Sequence, residues 1–231
     1  MSKTIGIVAC SAEGAALCYR TLCSAAAERM GPHQHPEIGM HTIALASYMD
    51  FIRADDWLGV ARLMHQSGET LAGMGAEFLI CPDNTIHQAF FDGGLEGPLP
   101  WLSIAEVVSS EVLRRGFGKI GVLGTKYLME GPVYASACAK IERSMEIPEE
   151  ADRMEIDRLI FSELVYGRFT QESRLYFNEV IEKLKEKGCD AVVLGCTEIP
   201  LLVDPSDCPL PCLDSTRLLA MAALEYSLGT K

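Results

Sequence analysis

Two places in this chain carry residue types suited to moving protons. Cys196 follows the apolar run 191–195 and is itself followed by Thr197 and Glu198. A thiol at a strand end, beside turn amides, can fall below its free pKa of ~8.5 and act as base or nucleophile near neutrality. Asp83-Asn84-Thr85 follows a second apolar run, Phe78 to Cys81. Comparable small polar clusters stand at Cys10-Ser11-Ala12-Glu13-Gly14, at Ser47 and at Gly124-Thr125-Lys126-Tyr127. Each offers hydroxyl, amide or thiol groups able to present donors to a small carboxylate, although any one alone reads as an ordinary helix cap. His87, two residues past Thr85, reads as a helix-face or supporting residue with general-base potential toward Cys196.

The elements that must hold these clusters are short apolar runs alternating with longer amphipathic segments, the pattern of βαβ units around a buried parallel sheet. Strands are predicted at Thr4 to Ala9, Met40 to Ala46, Phe78 to Cys81, Leu99 to Ser103, Ile120 to Leu123, Arg158 to Ile160 and Ala191 to Leu194. Helices are predicted at Gly14 to Met30, Trp57 to Met74, Ile104 to Arg115, Met129 to Arg143, Glu172 to Lys187 and Ser215 to Tyr226. In the fifth of these, Leu175, Tyr176, Val180, Ile181 and Leu184 form one apolar stripe. Residues 185–198 echo residues 71–85, both reading as helix, glycine turn, buried strand and polar cluster. The echo implies two similar lobes, residues 1–103 with 213–231 and residues 104–212. In such α/β sheets ligands gather outside the carboxyl ends of the strands, where all five clusters fall, and the lobe interface is the expected site.

Composition narrows the possible partners. The 231 residues are 48% hydrophobic and 23% charged, with 32 acidic side chains against 20 Lys and Arg, a net charge of -12. That excess of negative charge, with no basic run beyond Arg114-Arg115, speaks against nucleic acid and anionic membrane surfaces. No stretch reaches the ~18 to 20 apolar residues of a membrane span, and the opening residues lack a signal-peptide pattern, so a cytoplasmic protein is expected. Nine scattered cysteines read as mostly free thiols. Cys18 with Cys23, and Cys208 with Cys212, are poor zinc spacings, so no metal is expected. With neither a Gly-x-Gly-x-x-Gly after the first strand nor a Walker sequence, no nucleotide cofactor is indicated. Glu149, Glu150, Asp152 and Glu155 read as a solvated acidic face.

Taken together, Ile5-Gly6-Ile7 with Glu13, Asp83-Asn84-Thr85, the 124–130 segment, Leu159-Ile160-Phe161, Glu172-Ser173-Arg174 and Gly195-Cys196-Thr197-Glu198-Ile199 resemble the pyridoxal-independent aspartate/glutamate racemase family nearly end to end. The resemblance implies an α/β fold of two pseudo-symmetric lobes, each a mainly parallel sheet flanked by helices, with the active-site cleft between them, a homodimer, and neither cofactor nor metal. It also implies two residues that remove the α-proton of an acidic amino acid from one face and return one to the other. The family's second cysteine is present as Cys196, but Asp83 stands where its first cysteine is expected. Cys81 lies two residues earlier, ~6 to 7 Å away along a strand. By resemblance Asn84, Thr85 and Thr197 hold the α-carboxylate, while Ser11, Thr125, Lys126 and Tyr127 are candidates for the distal group or the developing dianion. As a base, Asp83 starts ~4 to 5 pKa units below a thiolate, roughly 6 kcal/mol of driving force, unless its surroundings raise it; a raised Asp83 is expected to act as proton donor on one face, with Cys196 as the base on the other.

Three readings follow from these residues. The first is a racemase or epimerase on aspartate, glutamate or a related carboxylate, using Cys196 and Asp83. The second is a one-sided carbon-acid enzyme, such as a decarboxylase, with Cys196 as proton donor. The third is an inactive binder of a small dicarboxylate.

Overall fold

The computed structural model describes residues 2–94 and 97–229. The chain divides into two compact units, Met1–Val107 with Thr216–Lys231, and Val108–Ser215. Each holds one four-stranded, wholly parallel sheet flanked by helices, the α/β architecture expected from the alternating pattern.

The first unit runs β1 (Ile5–Ala9), α1 (Ala12–Met30), β2 (Ile38–Thr42), α2 (Leu45–Arg53), α3 (Trp57–Gly73), β3 (Phe78–Ile80), a 3₁₀ turn (Thr85–Phe90) and β4 (Trp101–Leu102). Helix α4 (Ile104–Arg115) leads into the second unit. There the order is β5 (Lys119–Leu123), α5 (Lys126–Glu130), α6 (Pro132–Lys140), β6 (Ser144–Glu146), α7 (Glu150–Ser162), a 3₁₀ turn (Leu164–Tyr166), α8 (Gln171–Glu186), β7 (Ala191–Leu194), α9 (Ile199–Leu202) and β8 (Cys212–Asp214). Helix α10 (Ser215–Leu228) brings the chain back to the first unit. The sheet orders are β2-β1-β3-β4 and β6-β5-β7-β8. The second is the first repeated with every strand number raised by four.

Alternation along the central strands explains the layering. Ile5 and Ile7 of β1 and Phe78 and Ile80 of β3 pack with Cys18, Leu22 and Ala26 of α1 and with Leu219, Ala220, Ala223 and Leu224 of α10. Gly6, pointing to the opposite face, lies under α3; a methyl there would come within 3.3 Å of the Leu71 Cβ and 2.7 Å of Leu79. Gly121 of β5 lies under α8 in the same way, with the Leu184 Cβ 3.5 Å from where its own Cβ would be. Glycine at both positions lets a helix press onto the sheet directly. Val192 and Leu194 of β7 bury themselves among Ile156, Leu159 and Ile160 of α7 and Phe177, Val180, Ile181 and Leu184 of α8.

Four expectations need correction. Arg158 to Ile160 is not a strand but lies inside α7, where Ile156, Leu159 and Ile160 have the helical spacing of a buried stripe. Met129 to Arg143 is two helices, broken where Pro132 removes an N–H and disfavours helix in the residue before it. In α8 the buried aromatic is Phe177, while Leu175 is 59% exposed. Residues 43–46 leave the sheet at Thr42, and Ser47 sits inside α2 rather than at a strand end. The edge strands β6 and β8 escaped the sequence reading because strands of three residues with half-exposed ends carry little apolar signal. Among the described residues no helix is long and apolar enough to cross a membrane.

Candidate active site

The two units can be laid over one another by register alone. Gly6 pairs with Leu79, Gly121 pairs with Val192, and four residues beyond each partner stand Asp83 (79 + 4) and Cys196 (192 + 4). Two further contacts tie the same frame together. The Thr4 N–H donates to the Glu77 carboxylate at 2.8 Å, and the Lys119 N–H donates to the Asp190 carboxylate at 3.3 Å. Leu71 and Leu184 each precede the first paired residue of the following strand, Phe78 or Ala191, by seven positions. Asp83 and Cys196 therefore occupy equivalent positions, past the carboxyl ends of β3 and β7. Cys81 corresponds to Leu194, a buried strand residue.

Asp83 is held by backbone. Its Oδ2 accepts the Cys10 N–H at 3.2 Å, and both carboxylate oxygens lie 3.3 Å from the Ser11 amide nitrogen, which also donates. Those amides immediately precede the 19-residue helix α1, whose N-cap is Ser11. The orphan donors and the positive end of a long helix favour a negative charge there. Cys81, directly beneath, is wholly buried, and that burial, with the nearby Asp83 charge, pushes its thiol well above the ordinary range. It is no base at neutral pH. Asn84 is buried, and Thr85 opens the 3₁₀ turn.

His87 proves to be a support for this turn. It is 1% exposed, and its Nε2–H donates to the Cys81 carbonyl at 2.9 Å, the acceptor fixing the tautomer. The Nδ1 is buried without a partner among the described residues. Burial pulls the ring down to about 4 despite the carbonyl. Because the folded value lies below the unfolded one of ~6.5, stability from this group is complete above about pH 6.5 and is lost as pH falls toward 4. The shift corresponds to about 3 kcal/mol. Denaturant titrations at several pH values should show a loss of that order across the window in the native protein, and His87→Gln should flatten it. An unchanged slope in that variant would assign the acid sensitivity elsewhere.

Tyr48 sits on α2, a nine-residue helix that the apolar pattern does not mark. It is fully buried with its hydroxyl beside Ser67, and desolvation, followed by Cys81, Cys10 and Asp83, pushes the phenol far above its usual range. Ser67 in turn hydrogen-bonds His41 Nδ1 at 2.9 Å. A neutral phenol and two further polar groups thus back the Asp83 side of the first sheet.

In the second unit the chain makes a tight turn at 196–199, with the Ile199 N–H donating to the Cys196 carbonyl at 3.1 Å. The Cys196 thiol donates to Glu198 Oε2 at 2.9 Å, and the Thr197 hydroxyl donates to the same oxygen at 2.8 Å. Glu198 is 2% exposed and Cys196 half-buried. A carboxylate thus faces this sulfur. Thr125 caps α5, accepting the Leu128 N–H at 3.2 Å. Lys126 and Tyr127 are the first residues of α5, the Lys126 N–H donating to Asp157 at 2.9 Å and its ammonium lying 5.1 Å from the Tyr127 ring centre. Asp152, expected on a solvated face, is buried and accepts from Tyr176 at 2.9 Å and from Lys183 at 3.2 Å.

Among the described residues no group of three His, Cys, Asp or Glu could hold a metal ion. Cys208 and Cys212 contact each other, and the Cys212 thiol draws Cys208 down to about 7.

A family model for Asp/Glu/Hydantoin racemase matches residues 5–223. The chain belongs to this family. A Yersinia pestis protein with a provisional Asp/Glu racemase assignment has a solved structure similar to this racemase-family chain. The TM-score is 0.86 at 29% identity, covering 98% of this chain and 99% of that one. An aspartate racemase homologue from Pyrococcus horikoshii OT3 gives 0.83 at 26% identity, covering 99% and 100%. Glutamate racemase 3 from Caldanaerobacter subterraneus subsp. tengcongensis is 32% identical over 122 residues, 52% of this chain and 42% of that protein. The chain spans less than half the length of the curated relatives it matches, from 35% to 48%.

Proposed function

We propose that this protein is a cofactor-independent racemase or epimerase acting at the Cα of an acidic amino acid, aspartate or glutamate, with Asp83 and Cys196 as its two proton carriers. Family membership supports the reaction class. The observation that carries the assignment of residues is the shared register: one proton-bearing side chain past β3 and another past β7, at the same offset from paired glycine strands. One group takes the α-proton and the other delivers a proton to the opposite face.

The α-proton of an amino acid is a very weak acid, so the reaction also needs donors aimed at the charge that develops on the α-carboxylate. Asn84, Thr85 and the Thr197 backbone amide adjoin the two carriers and are assigned this work, the Thr197 hydroxyl being committed to Glu198, with Ser11, Lys126 and Tyr127 flanking the same strand ends. Thr125 joins them, since its hydroxyl acts in the α5 cap as acceptor, not donor. The protein is assigned a small acidic amino acid as partner and a homodimeric state, as in the family it belongs to.

Incubation with L- and D-aspartate or glutamate in deuterated water, read by proton NMR, tests the proposal. Exchange of the α-proton with inversion of configuration is expected for one of the two pairs. Exchange with retention would mean that only one carrier works, and no exchange with either would overturn the reaction assigned.

A further inference from the structure

We propose that Glu198 is a positioning residue that keeps Cys196 in its thiol form between turnovers, so that Cys196 enters the reaction as proton donor and Asp83 enters it as the carboxylate base. The inference rests on the racemase reading and fixes the direction in which its resting form works.

The two carriers face opposite electrostatic settings. Asp83 is met by donors, the Cys10 and Ser11 amides before α1, which hold it as a carboxylate rather than as a raised, protonated carboxyl, so its shortfall in base strength falls to the donors aimed at the developing dianion. Cys196 is met by an acceptor, the Glu198 carboxylate at 2.9 Å, which suits a sulfur that keeps its hydrogen. The Thr197 hydroxyl donates to the same Oε2 and so holds Glu198 in that orientation. Glu198 is buried, so its charge is poorly screened where it meets the sulfur.

In the forward step the Asp83 carboxylate takes the α-proton. An O–H bond forms, the Cα–H bond breaks, and the electron pair passes into the substrate α-carboxylate. The Cys196 S–H bond then breaks, its proton goes to Cα from the other side, and its electron pair stays on sulfur. The enzyme's charge is unchanged overall, one negative charge having moved from Asp83 to Cys196. After the product leaves, the Asp83 carboxyl gives its proton to solvent and the Cys196 thiolate, repelled by the Glu198 carboxylate, takes one from solvent, which restores the resting form.

The test is peptide-resolved alkylation of the native protein and Glu198→Gln with iodoacetamide from about pH 6 to 10, the range spanning a free thiol's titration. With the negative neighbour gone, Cys196 should react about tenfold faster near neutrality, a shift of about one pKa unit. The half-exposed Cys23 should keep its rate in both proteins. An unchanged Cys196 profile would overturn the proposal. Should the variant unfold, buried Cys18 would become reactive, and the native protein then decides: Cys196 alkylating more slowly than Cys23 near neutrality supports the proposal, and Cys196 alkylating faster overturns it. In a single turnover in deuterated water only one enantiomer should lose its α-proton at once, and equal loss from both would overturn the proposal. Absence of all exchange would instead remove the racemase reading, while the alkylation profile still judges the hold of Glu198 on Cys196.

Discussion

Cys196→Ser is expected to abolish inversion of the acidic substrate, lowering it by at least about 10³-fold, within the range of a lost general acid or base. A serine hydroxyl can still donate to Glu198, as the thiol does at 2.9 Å, so the turn 196–199 keeps its internal bond. Stability should therefore change by no more than about 1 kcal/mol, as for substitutions without a cavity or an unpaired group. The hydroxyl is too weak an acid to hand its proton to a carbanion at neutral pH. Comparing NMR-monitored inversion with denaturant midpoints separates the two effects. A variant that folds and inverts at the native rate would remove Cys196 from the reaction.

Asp83→Asn should be the second large effect, and it should strike both activity and stability. The amide cannot accept a proton at Cα, so inversion should fall by about 10²-fold or more. It also withdraws a negative charge from the start of α1, where the Cys10 and Ser11 amides converge, at a cost of about 1 kcal/mol. Asp83→Cys is the informative companion, because it places a thiol at each of the two equivalent positions. Inversion above the Asp83→Asn level would show that a proton carrier belongs there. Native-level inversion in Asp83→Asn would sink the assignment.

The sequence exposed the buried half of this design well. Central strands such as Ala191–Leu194 and Phe78–Ile80 are continuous apolar runs, and their polar ends mark themselves. What it hid was of two kinds. Short edge strands and α2 lack a decisive period, so β6, β8 and the location of Tyr48 were missed. The rotation of side chains at a turn is set by contacts that no local pattern reports. Asp83 meets amides 72 and 73 residues earlier in the chain. Glu198 is only two residues from Cys196, yet its spacing fits a solvent-facing helix start as well as a bond to sulfur. His87 shows the same limit: its helical address leans toward support over general-base work, and its bond to the Cys81 carbonyl decides.

The division of the chain bears on how it is made. The second unit is one unbroken stretch, 108–215, and can close as soon as it has been synthesised. The first cannot, because Leu219, Ala220, Ala223 and Leu224 of the last helix fill the face of a sheet begun at Ile5. The Lys3 N–H reaches the Ser227 carbonyl at 2.8 Å, pinning the earliest residues to nearly the latest. On the ribosome the half bearing Cys196 is thus ready while the half bearing Asp83 still waits for its final layer, and a chain cut short before residue 216 would leave that apolar face open to aggregation.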